Sequence, residues 1–324
     1  MSFKRVDIKT GYLCNCNCKF CVQAHNKKYA NKDYDEIKES LVNAKKDNCS
    51  GVVFTGGEFT LRKDALSLVS FAKKLGFSTI QIQSNGRMFS NKDFCKKIIK
   101  AGANEFSPAL HGYKKEIHDF LTSSSGAFEQ TVQGIKNLKN MGQYIVMNSV
   151  IVKPNYRYAP QLAKLLCGLG VDQFQFAFVH AMGNALTNIE SMMPYKSLAV
   201  PYLKKGIDIA NSHGIFVMVE AVPFCFMEGY EKHVSEFYIP PTRIEERNRV
   251  IKDFKAEKMK GAKVKHEKCK DCKYFNICEG PWKEYPEHFG WDEFIPVKGK
   301  NINDPKEILE NEENHYPRVL NLKI

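Results

Sequence analysis

Residues 51–86 begin Gly51-Val52-Val53-Phe54-Thr55-Gly56-Gly57-Glu58 and end Thr79-Ile80-Gln81-Ile82-Gln83-Ser84-Asn85-Gly86. Each end joins an apolar, β-branched run to a glycine turn, so residues 52–55 and 79–83 read as strands. Between them, residues 61–75 carry apolar side chains at helical spacing, and Gly76 follows where a left-handed cap is wanted. A strand, a helix and a second strand imply a parallel pair joined by a crossover helix. The turns that follow such strands emerge together on one face.

The same unit recurs on both sides. Further strands are predicted at 6–13, 103–107, 144–152 and 173–179, with a seventh at 215–219. Helices are predicted at 35–47, 91–101, 127–141, 156–168 and 198–212, and Gly102, Gly142 and Gly170 sit just past helix ends. After residue 219 the rhythm stops. Pro223, Pro240 and Pro241 interrupt the chain, and residues 243–258 read as a charged helix. The predicted boundary therefore divides the 324 residues into 1–220 and 221–324.

Composition narrows the function classes. With 43% hydrophobic and 26% charged residues, the chain is neither disordered nor a coiled coil. No apolar run approaches the ~20 residues of a membrane span, and Met1–Asp7 holds no apolar signal core. A cytoplasmic protein without a membrane partner is expected. The net charge of +12 permits a nucleic-acid partner without establishing one, because the lysines are spread along the chain and interleaved with acids.

Eleven cysteines are many for a compartment that disfavours disulfides, so their spacing decides their meaning. Two tight groups stand near the two ends. The first reads Cys14-Asn15-Cys16-Asn17-Cys18-Lys19-Phe20-Cys21. Taking Cys14, Cys18 and Cys21 gives C-x3-C-x2-C, a spacing that can hold three irons of a 4Fe–4S cube and leave the fourth open. Zinc with Cys16 as fourth thiolate is the competing reading. The second group, Cys269, Cys272 and Cys278, has the spacing C-x2-C-x5-C.

The first group resembles the signature of the radical S-adenosylmethionine (SAM) superfamily, C-x3-C-x-aromatic-C, with Phe20 as the aromatic residue. Further turns resemble that family in order: Gly56-Gly57-Glu58, with Phe59 where the family has proline; Ser84-Asn85-Gly86; Ser107-Pro108-Ala109-Leu110-His111-Gly112; and residues 150–155. The resemblance covers residues 5–220. It implies an α/β fold, a partial (β/α)6 TIM-like barrel whose lateral opening admits larger substrates. It implies Cys14, Cys18 and Cys21 as cluster ligands, Cys16 as a bystander, and S-adenosylmethionine on the open iron. Phe20, Gly56, Gly57, Glu58, Ser84, Asn85, Ser107 and Val152 are the implied cofactor-binding residues. His111 reads as a loop-structuring residue before a catalytic one.

The second group resembles the auxiliary-cluster domains called Twitch and SPASM. No cysteine follows Cys278, so one auxiliary 4Fe–4S cluster is expected, with Cys225 favoured as its fourth ligand beside Cys269, Cys272 and Cys278; if Cys225 is instead a buried apolar residue between Phe224 and Phe226, one iron is open to substrate. Two 4Fe–4S clusters and S-adenosylmethionine are thus the expected cofactors. The aromatic tail holding Trp282 and Trp291 packs around that cluster or forms a rim that contacts substrate. The molybdopterin-pathway GTP cyclase differs in its auxiliary spacing and in a Gly-Gly tail, whereas this chain ends Asn-Leu-Lys-Ile, which counts against GTP cyclisation.

The expected function is reductive cleavage of S-adenosylmethionine to a 5′-deoxyadenosyl radical, then hydrogen abstraction in peptide or protein modification or in cofactor biosynthesis. The partners implied are a small-molecule or peptide substrate, an external electron donor such as flavodoxin or ferredoxin, and a separate peptide-presenting protein, since the first strand begins by about residue 5. An activase that places a glycyl radical on a partner enzyme and an RNA-modifying enzyme are the alternatives. The last rests on charge alone.

Overall fold

The computed structural model describes residues 4–309. Residues 1–3, read above for an export signal, and residues 321–324, read for a Gly-Gly tail, lie outside that range.

The alternation predicted from the sequence is present. In chain order the elements are β1 (Arg5–Lys9), α1 (Tyr34–Lys46), β2 (Gly51–Thr55), α2 (Ala65–Lys74), β3 (Thr79–Ser84), α3 (Lys92–Ala101), β4 (Glu105–Pro108), α4 (Lys115–Thr122), α5 (Ala127–Asn140), β5 (Tyr144–Ile151), α6 (Ala159–Gly168) and β6 (Gln173–Phe178). There follow α7 (Asn184–Thr187), α8 (Ile189–Met192), α9 (Lys196–Ser212), β7 (Phe216–Glu220), β8 (Thr242–Glu245), β9 (Val250–Ile251), α10 (Phe254–Met259) and α11 (Glu284–Phe289).

The strands form one sheet in the order β7-β6-β5-β4-β3-β2-β1-β8-β9. Every neighbouring pair is parallel except β8 with β9. Side chains alternate along the strands, as the two-residue period requires. In β5, Ile145, Met147, Ser149 and Ile151 are buried while the residues between them are half-buried. In β1, Val6 and Ile8 are sealed in the core, and Arg5, Asp7 and Lys9 lie on the other face. The sheet curves without closing on itself, and the turns after its strands gather on one face, where the expected site residues lie.

Two local expectations are corrected. Strand β1 stops at Lys9, not at residue 13. Gly11 takes φ +155°, and the backbone N–H groups of Tyr12 and Leu13 donate to Asn31 Oδ1 at 2.8 and 3.3 Å, not to a neighbouring strand. The charged helix predicted over 243–258 is a strand pair followed by a single short helix, α10. Pro240 and Pro241 bring the chain in extended, Arg5 N–H donates to Pro241 O at 3.0 Å, and β8 pairs with β1. Two of its charges, Arg243 and Glu245, are hidden as an ion pair at 2.5 Å, two residues apart on one face of the strand.

The segment after β7 also touches the sheet. Val234 forms a parallel bridge with Val219 in β7, and β8 then pairs with β1 at the other end of the parallel array. The chain after residue 220 thus contacts both ends of the parallel array. Two ion pairs are buried in this part of the chain: Lys258 with Glu279 at 2.7 Å and Lys263 with Glu236 at 3.6 Å.

Candidate functional site

The first cysteine group lies on the loop after β1, at the C-terminal end of the parallel strands. Backbone carbonyls of α4 hold it from one side: Asn17 N–H donates to Thr122 O at 3.0 Å and Lys19 N–H to Leu121 O at 2.9 Å. Asparagines of the segment after β6 hold the other side. Asn184 donates to Cys18 O at 2.8 Å through its side chain and to Cys21 O at 3.0 Å through its backbone, and Asn188 donates to Lys19 O at 3.0 Å. Arg87 forks onto the same loop, reaching Asn15 O at 2.7 Å while also holding Ser124 Oγ at 2.8 Å and Gln130 Oε1 at 2.6 Å.

The thiols of this loop sense one another. Burial, then the charges of Cys21 and Cys14, pushes the Cys18 thiol up to about 12. Cys14 is raised by a hydrogen bond with Cys16, and Cys16 is lowered by the same bond. Cys16 is buried, with its Sγ 3.6 Å from Asn85 Nδ2 and 3.7 Å from Arg87 Nη1, and it stays beside Cys14.

The residues expected to touch a cofactor form the floor beneath this loop. Gly57 N–H donates to Gly11 O at 2.6 Å and Glu58 N–H to Leu13 O at 2.7 Å. A Cβ on Gly57 would stand 2.2 Å from Leu13 O, so glycine there permits a close approach to the cysteine loop's own backbone. Glu58, expected to suit an ammonium group, has its carboxylate engaged inside the protein. Its Oε1 accepts from Thr60 N–H (3.1 Å), Thr60 Oγ1 (2.6 Å) and Ser84 Oγ (2.8 Å), and its Oε2 accepts from Asn85 N–H (2.7 Å). Burial raises its pKa despite those four donors. The Asn85 side chain donates to Asn15 Oδ1 at 2.6 Å and lies 3.9 Å from Cys14 Sγ.

Ser107 stands opposite Gln83 near the end of β4 and is almost wholly buried. Val152 is fully buried, and its N–H donates to Asn155 Oδ1 at 2.7 Å. Phe20 packs edge-on against His111 at 4.8 Å between ring centroids. His111 Nδ1 accepts from Val150 N–H at 3.1 Å, which puts its proton on Nε2. Burial, then His118, holds its pKa well below the ordinary value. This is the loop-structuring role.

The second cysteine group meets Cys225. Cys225, Cys269, Cys272 and Cys278 share the wall of one cavity, lined also by Pro223, Tyr274, Phe275, Phe294 and Pro296 among others. Burial, then the charges of Cys278, Cys272 and Cys269, raises the Cys225 thiol. Gly280 N–H donates to Cys278 Sγ at 3.3 Å and Val297 N–H to Cys272 Sγ at 3.4 Å. Among the described residues, no three His, Cys, Asp or Glu side chains converge on one point as the ligands of a single metal ion do. An iron–sulfur cube spreads its thiolates around a cluster, and the thiol-lined, largely apolar cavity suits that donor set.

The two tryptophans part company. Trp291 packs on Phe294, in the wall of this cavity, at 5.0 Å. Trp282 stacks on His180, just beyond β6, at 4.1 Å, and Glu284 lies 3.2 Å from His180 Nε2. The segment after residue 260 therefore reaches the face on which the strands end.

Residues 8–166 match the family model described as the Radical SAM superfamily. The chain carries a radical SAM domain. Among curated relatives, the AdoMet-dependent heme synthase of Oleidesulfovibrio alaskensis is 28% identical over 174 residues, 53% of this chain and 44% of that protein. The Probable GTP 3′,8-cyclase of Saccharolobus islandicus is 29% identical over 177 residues, 53% of this chain and 56% of that protein. The chain spans about half the length of these relatives. Among solved structures, SuiB of Streptococcus suis is similar at TM-score 0.63 and 16% identity, covering 82% of this chain and 63% of that one. SuiB bound to precursor peptide SuiA gives TM-score 0.59 at 16% identity, covering 75% and 58%. At that identity the likeness is one of fold.

Sequence reasoning missed three supports of the radical SAM domain's cysteine loop. The sequence reading assigns no element to the residues of α4, although Ile117, Phe120 and Leu121 have helical spacing. Arg87 and the Asn184–Asn188 pair carried no motif. Their work is done by hydrogen bonds across more than 70 residues of chain. Among the described residues no helix is long and apolar enough to cross a membrane.

Proposed function

We propose that this chain cleaves S-adenosylmethionine reductively and directs the resulting radical to a peptide substrate. The observation that carries the reading is the cysteine loop: three thiols in the C-x3-C-x2-C spacing, clamped from α4, from the segment after β6 and from Arg87, above a glycine floor. Cys14, Cys18 and Cys21 would hold a 4Fe–4S cluster, and Cys225, Cys269, Cys272 and Cys278 a second. The first cluster, when bound, supplies one electron to the sulfonium of S-adenosylmethionine.

The protein's part is positioning. Glu58 locks the turns after β2 and β3 together, and those turns fix the loop's height above the sheet. Phe20 and His111 wall one side. Substrate would reach the loop at the face where the strands end, beside His180 and Trp282. A peptide is favoured by the likeness in fold to SuiB, a protein whose structure is described with a bound precursor peptide. A low-potential electron donor such as flavodoxin or ferredoxin would supply the electron.

The test is anaerobic reconstitution followed by reduction with dithionite in the presence of S-adenosylmethionine. About eight irons per chain are expected, two cubes of four, together with 5′-deoxyadenosine and methionine. A chain loaded with iron that yields no 5′-deoxyadenosine would contradict the reading.

A further inference from the structure

We propose that Lys265 is the counter-charge of the four-cysteine site and sets the reduction potential of the cluster held there. The inference rests on the reading of that site as a second 4Fe–4S centre and adds the residue that governs it.

Lys265 lies on the wall of the cavity that Cys225, Cys269, Cys272 and Cys278 share. Its ammonium is pinned there by Phe275: Nζ donates to Phe275 O at 2.6 Å and stands 4.4 Å from the Phe275 ring centroid. Phe275 is itself part of the wall, so the cation cannot swing away without leaving that contact.

The charges around it leave Lys265 available for this role. Among the described residues no carboxylate lies within ion-pair distance of it, whereas the neighbouring lysines are committed. Lys258 pairs with Glu279 at 2.7 Å and Lys263 with Glu236 at 3.6 Å. Four thiolates around an oxidised cube carry a net charge of roughly −2, and one electron more makes it roughly −3. In a cavity walled by proline and aromatic side chains that charge is poorly screened. A fixed cation on the wall stabilises the reduced form more than the oxidised one and raises the potential. The two backbone N–H groups on Cys278 and Cys272 act in the same direction but cannot be removed by side-chain substitution.

The test uses the full chain, reconstituted anaerobically, in three forms: native, Lys265→Met and Lys265→Arg. Both clusters are titrated with reductant and followed by electron paramagnetic resonance. The expected result is a more negative midpoint for the auxiliary cluster in Lys265→Met and an unchanged midpoint for the cluster of the Cys14–Cys21 loop. Lys265→Arg, which keeps the charge, is expected to stay near the native midpoint. Loss of about four irons in Lys265→Met but not in Lys265→Arg would also support the charge role. An auxiliary midpoint in Lys265→Met equal to the native one, or an equal shift of both clusters, would overturn it. Native chain that binds only about four irons would instead show that the second cluster is misread, and this inference would fall with that reading.

Discussion

Glu58 Oε1 accepts a hydrogen bond from Ser84 Oγ at 2.8 Å, across the ends of two neighbouring strands. With Thr60 and Asn85 it completes a four-donor cradle around one buried carboxylate. A buried acceptor set of this kind is costly to spoil, since an amide presents a donor where an acceptor is needed. Glu58→Gln is expected to destabilise the fold by about 2–3 kcal/mol, read as a lower urea midpoint at unchanged slope. An unchanged midpoint would show that the carboxylate's role is outside the framework.

Arg87 is expected to matter for cluster retention more than for folding. Its fork joins the cysteine loop to Ser124 and to Gln130 of α5. In Arg87→Ala the loop loses that tie while all three ligand cysteines remain. Iron release from the loop's cluster to a chelator should quicken about 10-fold, the scale on which outer-shell partners affect metal affinity. Release at the native rate would assign the fork a purely local role.

The paired histidines make a pH prediction. Burial lowers the His118 pKa from 6.5 to about 4, and its Nδ1 accepts from His111 N–H at 3.0 Å. The unfolded chain binds a proton near pH 6.5 and the folded chain does not until about pH 4. The neutral-histidine contribution is therefore full above pH 6.5 and is lost as pH falls to about 4, by about 3 kcal/mol across the window. Proton NMR should find the His118 ring neutral at pH 5. A titration midpoint near 6.5 would contradict the buried, acceptor role.

How much of this was legible in the sequence follows from the range of the interactions. Strands and helices of the barrel were readable because their periods are local, and Gly76, Gly102, Gly142 and Gly170 do take positive φ. The two cysteine groups were readable because thiols at such spacing have few other uses. The role of β8 was not. Arg243 and Glu245 looked solvated because charge normally faces water, and only the tertiary pairing of β8 with β1 hides them. Glu58 is a cofactor-contact candidate by resemblance, and its part in tying neighbouring turns together is a separate feature. Its four donors come from the turns after β2 and β3, and two of them lie 26 and 27 residues away, which no local pattern shows.

The most direct test compares uncoupled 5′-deoxyadenosine formation by native chain, Cys18→Ala and Cys272→Ser under dithionite. The account places the radical chemistry on the Cys14, Cys18 and Cys21 loop and gives the four-cysteine cavity a separate role. Cys18→Ala should therefore form none, Cys16→Ala as a control should match the native chain, and Cys272→Ser should retain cleavage while failing to convert substrate. Persistent cleavage in Cys18→Ala, or its loss in Cys272→Ser with the loop's cluster still loaded, would contradict the account.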